Sequence, residues 1–122
     1  MKKLGLVLGS SGSRGISYVG FLKALEEHGI KPYCVAGSSM GAVVGACYCN
    51  GMTTEQMVNE VNNLKSSHLI DVSFAPLRNS AILRSNKLVK KLDEFFKDLT
   101  YDDLKIPFCS VAVDLWSGEL HV

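Results

Sequence analysis

Long apolar runs, prolines and an excess of one charge are what this sequence has least of. Its three prolines leave most of the 122 residues free to enter helices and strands. The longest apolar stretch, Val35–Cys49, is interrupted by Gly37, Ser38, Ser39, Gly41 and Gly45. It falls short of the roughly 20 apolar residues that span a bilayer. Thirteen basic residues against twelve acidic ones give a net charge of +1. That balance supplies no field to draw in nucleic acid or to demand an anionic membrane, so no nucleic-acid partner is expected. Four cysteines, at 34, 47, 49 and 109, sit within apolar segments and form no matched Cys-x2-Cys pairs. They are read as four small buried thiols, and neither a metal nor a cofactor is expected. Met1-Lys2-Lys3 leads into an apolar run, Leu4–Leu8, too short for the core of a secretory signal, which points to the cytoplasm.

What remains is an ordinary globular composition, 47% hydrophobic and 20% charged, of about one domain's length. Leu4–Leu8 reads as a buried strand entering a loop, Gly9-Ser10-Ser11-Gly12-Ser13-Arg14-Gly15. A helix is predicted from about Ile16, with Val19, Leu22 and Leu25 on its apolar face and Gly29 as its stop. Cys34-Val35-Ala36 is a second short buried strand. Gly41–Cys49, apolar all round and rich in small residues, predicts a helix buried on most sides, ended by Gly51. Thr53 and Gln56 have the spacing of a capping box for a helix with Met57, Val58, Val61 and Leu64 along one stripe. Leu88, Val89, Leu92, Phe95, Phe96 and Leu99 mark a further amphipathic helix. Ile106–Val113 reads as a strand, and Ser117-Gly118 as a hairpin turn into Leu120–Val122. Strands alternating with helices predict a mainly parallel sheet covered on both faces, a three-layer α/β/α sandwich. The chain ends inside a strand pattern, so residues 1–122 are expected to be a single, incomplete domain lacking its C-terminal part.

Gly37-x-Ser39-x-Gly41 lies between a predicted strand and a predicted helix, the setting of a nucleophile elbow. Ser39 would occupy a strained turn that lifts its hydroxyl out of the sheet edge. The flanking glycines would leave room where a Cβ would collide, and the helix beginning at Met40 would aim free N–H groups at a developing oxyanion. Gly9-x-x-Gly12-x-x-Gly15 matches neither a dinucleotide fingerprint nor a Walker loop. In a parallel sheet, loops after successive strands share the carboxyl edge, so this loop can bring N–H donors to the crevice that holds Ser39. Arg14 would either add a charge there or hold the loop's shape.

Leu6-Val7-Leu8-Gly9-Ser10-Ser11-Gly12-Ser13-Arg14-Gly15, followed by Gly20-Phe21-Leu22-Lys23-Ala24-Leu25-Glu26-Glu27, resembles the opening of bacterial patatin-like phospholipases. Gly37-Ser38-Ser39-Met40-Gly41-Ala42 is similar to their nucleophile motif. Leu104-Lys105-Ile106-Pro107, Val113-Asp114-Leu115 and Gly118-Glu119 extend the likeness over most of the chain. The resemblance implies cofactor-free hydrolysis of glycerolipid acyl esters by a Ser–Asp dyad. It assigns Ser39 as nucleophile and the oxyanion role to the backbone of Ser11, Gly12 and Ser13; with Arg14 on the loop and Met40 at the helix start, these make up the expected oxyanion and substrate-binding residues. The family's loop is usually a run of glycines, whereas Ser10 and Ser11 stand here, and a positive φ at either would carry a cost. The family's aspartate lies in an Asp-Gly motif, and this chain has none; its aspartates are Asp71, Asp93, Asp98, Asp102, Asp103 and Asp114. Asp114 matches a different family position, with a structural hydrogen-bonding role expected. The catalytic aspartate is therefore expected beyond Val122.

Two other functions fit the same residues: a non-catalytic module binding an acyl chain or anionic lipid, and an acyltransferase. The latter commonly has His before the serine, where this chain has Ser38. His28, His68 and His121 show no spacing that pairs one with Ser39, and solvated or capping roles are expected for them. The expected partners are a lipid or acyl-ester substrate, a transient membrane or micelle surface, and a second copy of the chain at an uncovered sheet edge. Residues 66–84 read as either an acyl entrance or lid, or a surface loop with a few anchors.

Overall fold

The computed structural model describes residues 2–66 and 89–122. Three short strands, β1 (Gly5–Leu8), β2 (Cys34–Gly37) and β3 (Phe108–Ser110), form a parallel sheet in the order β1-β2-β3. The register sets Leu6 beside Val35 and Leu8 beside Gly37, then Val35 beside Phe108 and Gly37 beside Ser110. All three carboxyl ends therefore lie on one edge, and the loops leaving β1 and β2 start as neighbours. Helices α1 (Ser17–Glu27) and α2 (Met40–Cys49) follow those loops, and α3 (Thr54–Ser66) follows α2. A fourth helix, α4, covers residues 89–96.

The apolar pattern accounts for the packing. Leu8, Val35 and Phe108 point from one sheet face toward Gly45 of α2; a Cβ there would lie 3.5, 3.3 and 3.0 Å from them. The helix can lie this close because its sheet-facing side is glycine. Val19 and Leu22 of α1 and Met57 of α3 complete a core shared with Val44, Cys47, Tyr48 and Cys49. Thr54 is buried, its hydroxyl donating to Glu26 Oε2 at 2.8 Å, which joins α3 to α1. The capping box forms as the spacing predicts: Thr53 N donates to Gln56 Oε1 (2.9 Å) and Gln56 N to Thr53 Oγ1 (3.1 Å). Gly29 and Gly51 end α1 and α2 at positive φ, 67° and 93°.

The parallel sheet with helices packed on it is the α/β arrangement expected, α2 lying against all three strands. Several finer expectations are corrected. Among the described residues nothing covers Val7 of β1, 78% exposed, or Cys34 of β2. The reading of four buried thiols therefore holds for Cys47 and Cys49 but not for Cys34, whereas Cys109 is half-buried. Burial pushes the Cys47 thiol up to about 11 and the Cys49 thiol to about 12. Val58 faces solvent rather than the core.

The strand expected over Ile106–Val113 divides in two. Val111 N donates to Gly37 O (3.1 Å) as a last rung beside β2. The chain then leaves the sheet for a hairpin of β4 (Ala112–Val113) and β5 (Leu120–His121). The hairpin turn falls where expected, with Gly118 at φ 74°. Leu115 and Trp116, at its tip, are 95% and 98% exposed. Residues 67–84, with His68 and Asp71, and Leu88 lie outside the described residues. No helix among the described residues is long and apolar enough to cross a membrane.

Candidate active site

The chain turns from β2 into α2 at Ser39, whose φ of 53° and ψ of −128° lie where an L-residue is strained. Among the described residues only Lys97 shares a positive φ without being glycine. Such a conformation persists only where its surroundings leave no alternative, and here they are tight. Ser38 N donates to Leu8 O (3.1 Å), extending the β1–β2 ladder by one rung. Gly41 N returns to Ser38 O at 3.0 Å, and Ala42 N to Ser39 O at 2.9 Å, so α2 begins at once. Both flanking glycines are required for space. A Cβ on Gly37 would stand 2.7 Å from Ala42 Cα, and one on Gly41 would stand 2.1 Å from Leu8 O. Ser39 itself is exposed. Met40 opens α2, so its N–H has no helical carbonyl to meet.

The loop after β1 closes against this turn. Ser11 precedes a 3-10 turn, Gly12–Ile16, that contains Ser13 and Arg14, and Arg14 N donates to Ser11 O at 3.1 Å. Gly12 carries the positive φ, 55°, whereas Ser10 and Ser11 do not. The cost that serine would bear in left-handed backbone therefore does not arise. Ser11 Oγ is buried next to Gly15 and has no hydrogen-bond partner among the described residues. Arg14 is exposed, and its carbonyl accepts the Ser17 hydroxyl (2.7 Å).

Three contacts here were not read from the sequence. Ser10 Oγ and Ser38 Oγ are hydrogen-bonded at 2.8 Å. Tyr18 donates its hydroxyl to Gly9 O at 3.1 Å. Gly15 lies against Met40, where a Cβ would meet Met40 Cγ at 2.3 Å. The third glycine of Gly9-x-x-Gly12-x-x-Gly15 was the available signal for the last; side-chain contacts between residues 28 apart leave none.

Asp114 is held in the hairpin, its Oδ1 accepting from Trp116 N (2.8 Å), Ser117 N (2.8 Å) and Ser117 Oγ (3.1 Å). Those donors hold its carboxyl below the usual carboxylate range. This is the structural role expected of it. His28 caps α1, with Nδ1 2.7 Å from Ala24 O, and His121 is exposed in β5. Among the described residues no group of three or more His, Cys, Asp or Glu side chains could hold a metal ion.

A parallel α/β sheet with a strained serine at a strand–helix junction, beside a glycine-bearing loop, defines a class of α/β proteins. Residues 6–118 match the patatin-like phospholipase family, and the chain belongs to that family of lipid hydrolases. It is 32% identical, over 96% of its length, to an uncharacterized NTE family protein of Mycobacterium tuberculosis, covering 32% of that protein. It is 30% identical, over 92% of its length, to the neuropathy target esterase sws of Drosophila melanogaster, covering 8% of that protein. The chain thus spans about a third of the mycobacterial relative and under a tenth of the insect one. A solved structure of the type III effector protein ExoU aligns with 57% of this chain and 14% of its own, at 36% identity and a TM-score of 0.46.

Proposed function

We propose that the protein hydrolyses acyl esters of lipids, with Ser39 as nucleophile and an aspartate beyond Val122 as its base, residues 1–122 being the first part of one hydrolase domain. The observation that carries this reading is the strained, exposed Ser39 at the β2–α2 junction, held by glycines that no larger residue can replace. The aspartate takes the Ser39 proton as Oγ attacks the ester carbonyl. The oxyanion that forms is met by N–H groups of Ser11, Gly12, Ser13 and Met40. Collapse expels the lipid alcohol, which recovers the proton from the carboxyl group. A water molecule, deprotonated by the same carboxylate, then frees the fatty acid and restores Ser39. Arg14, exposed on the loop, meets the anionic part of the substrate. The engagement of Asp114 with three hairpin donors supports a base from elsewhere in the protein.

Transient contact with a lipid surface belongs to the same reading. The hairpin leaves the sheet at Ser110, whose partner Gly37 sits two residues before Ser39, and it carries Leu115 and Trp116 outward. Trp116 is the chain's one tryptophan, so its fluorescence reports on this contact directly. Neutral phosphatidylcholine vesicles should shift its emission to the blue; an unchanged spectrum rejects the contact.

A fluorophosphonate probe tests the chemistry in the full-length protein. The parent should label at Ser39 and a Ser39→Ala variant should not. A folded parent that stays unlabelled overturns the hydrolase reading and leaves a lipid-binding module in its place.

A further inference from the structure

The loop after β1 and the turn after β2 diverge beyond the Leu8–Gly37 pair, where the parallel ladder ends. One backbone bond, Ser38 N to Leu8 O, reaches past it. Further out the link between the two segments passes to side chains, Ser10 Oγ and Ser38 Oγ at 2.8 Å. Ser10 lies one residue before Ser11, which opens the 3-10 turn, and Ser38 lies one residue before Ser39. Neither residue needs its hydroxyl for local backbone structure: Ser10 has no positive φ, and Ser38 makes its turn through its own N and O.

We propose that Ser10 and Ser38 are positioning residues, a hydroxyl clasp that fixes the loop carrying the oxyanion donors at its working distance from Ser39. This rests on the proposed role of Ser39 and makes the clasp a second determinant of the same site. Oxyanion stabilisation depends on donors standing within a few tenths of an ångström of where the charge develops. A loop tied to the elbow at its first residues holds that spacing. A loop tied only at Gly9 and Gly15, by Tyr18 and Met40, samples wider ones. The bond is exposed, so its loss acts on local geometry more than on global stability.

The test uses the full-length protein and two measurements. With a p-nitrophenyl ester, Ser10→Ala and Ser38→Ala should each lower kcat about threefold to tenfold, the factor that one neutral hydrogen bond is worth, with KM unchanged. The double variant should be no worse than either single, and Ser10→Thr and Ser38→Thr, which keep a hydroxyl, should recover most of the rate. Single variants at the parent rate, or effects that multiply in the double, overturn the clasp. The second measurement is amide hydrogen exchange over residues 9–15, which should quicken by a similar factor in both alanine variants. It reads the clasp whether or not Ser39 reacts. If the parent proves inert while exchange quickens, the hydrolase reading fails and the clasp stands; unchanged exchange overturns the clasp in either case.

Discussion

A side chain at position 41 would place its Cβ 2.1 Å from the carbonyl oxygen of Leu8 and 2.7 Å from that of Gly9. Because both obstacles are backbone, no rotamer change relieves them. Gly41 is thus where α2, β1 and the β1 loop meet at closest approach, and it sets how near the start of α2 comes to that loop. Gly41→Ala should cost about 1–3 kcal/mol or more in denaturant unfolding, and should abolish fluorophosphonate labelling even at temperatures where the variant is folded. A variant as stable as the parent would contradict this packing.

Ser39 holds its turn against its own backbone preference. Replacing it by glycine removes strain worth about 1–3 kcal/mol and adds unfolded-state freedom worth somewhat less than 1. Ser39→Gly should therefore be more stable than Ser39→Ala, by about 1–2 kcal/mol, while neither labels. Equal midpoints in a urea titration would show that the φ of 53° carries no cost.

Asp114 offers a clean separation of structure from chemistry. Asp114→Asn keeps an acceptor for the Trp116 and Ser117 amides but removes the charge, whereas Asp114→Ala removes both. The asparagine variant should keep the parent's esterase pH profile, and the alanine variant should loosen the hairpin. Because its native carboxyl titrates below the ordinary range, Asp114 contributes stability that is present above the usual carboxylate pKa and is lost as pH falls through the native value. The acid limb of the stability curve should be weakened in Asp114→Ala. A collapse of kcat in the asparagine variant would make Asp114 the base instead.

The thiols should divide by exposure. Cys34 should react with iodoacetamide in the native protein at neutral pH, and Cys47 and Cys49 only on unfolding. Unfolded thiols ionise near 9.0, but Cys47 holds its proton to about 11 and Cys49 to about 12. The folded state therefore binds more protons than the unfolded one across that window. These groups' contribution is full below pH 9 and is lost as pH rises toward 11–12, so stability should fall on the alkaline side. A Cys47→Ala, Cys49→Ala double variant should flatten that decline, measured by thermal unfolding between pH 8 and about 11.

Much of the local architecture was legible in the amino-acid sequence, because it depends on near neighbours along the chain. Gly29 and Gly51 stop their helices, Thr53 and Gln56 cap α3, and Ser117-Gly118 turns the hairpin, each through bonds spanning a few residues. The expectation for Ile106–Val113 failed for the opposite reason. Nothing in that apolar run says that Val111 will make its last bond to Gly37 and that Ala112 will join another sheet. Cys34 and Val7 carry the hydrophobicity of core residues, yet whether a strand face is covered depends on elements distant in the chain.

The same division runs through the site. The sequence alone determined that Ser39 would sit between a strand and a small-residue helix, because Gly37, Gly41 and the alternating elements encode that junction locally. Only the tertiary structure decided that Ser39 bears the strain while Gly12, rather than Ser10 or Ser11, takes the left-handed backbone of the loop. It alone placed Ser10 against Ser38 and Gly15 under Met40. The reason is physical: a turn is chosen by a few adjacent dihedral angles, whereas the meeting of two loops is set by the register of β1 on β2, a contact between segments nearly thirty residues apart.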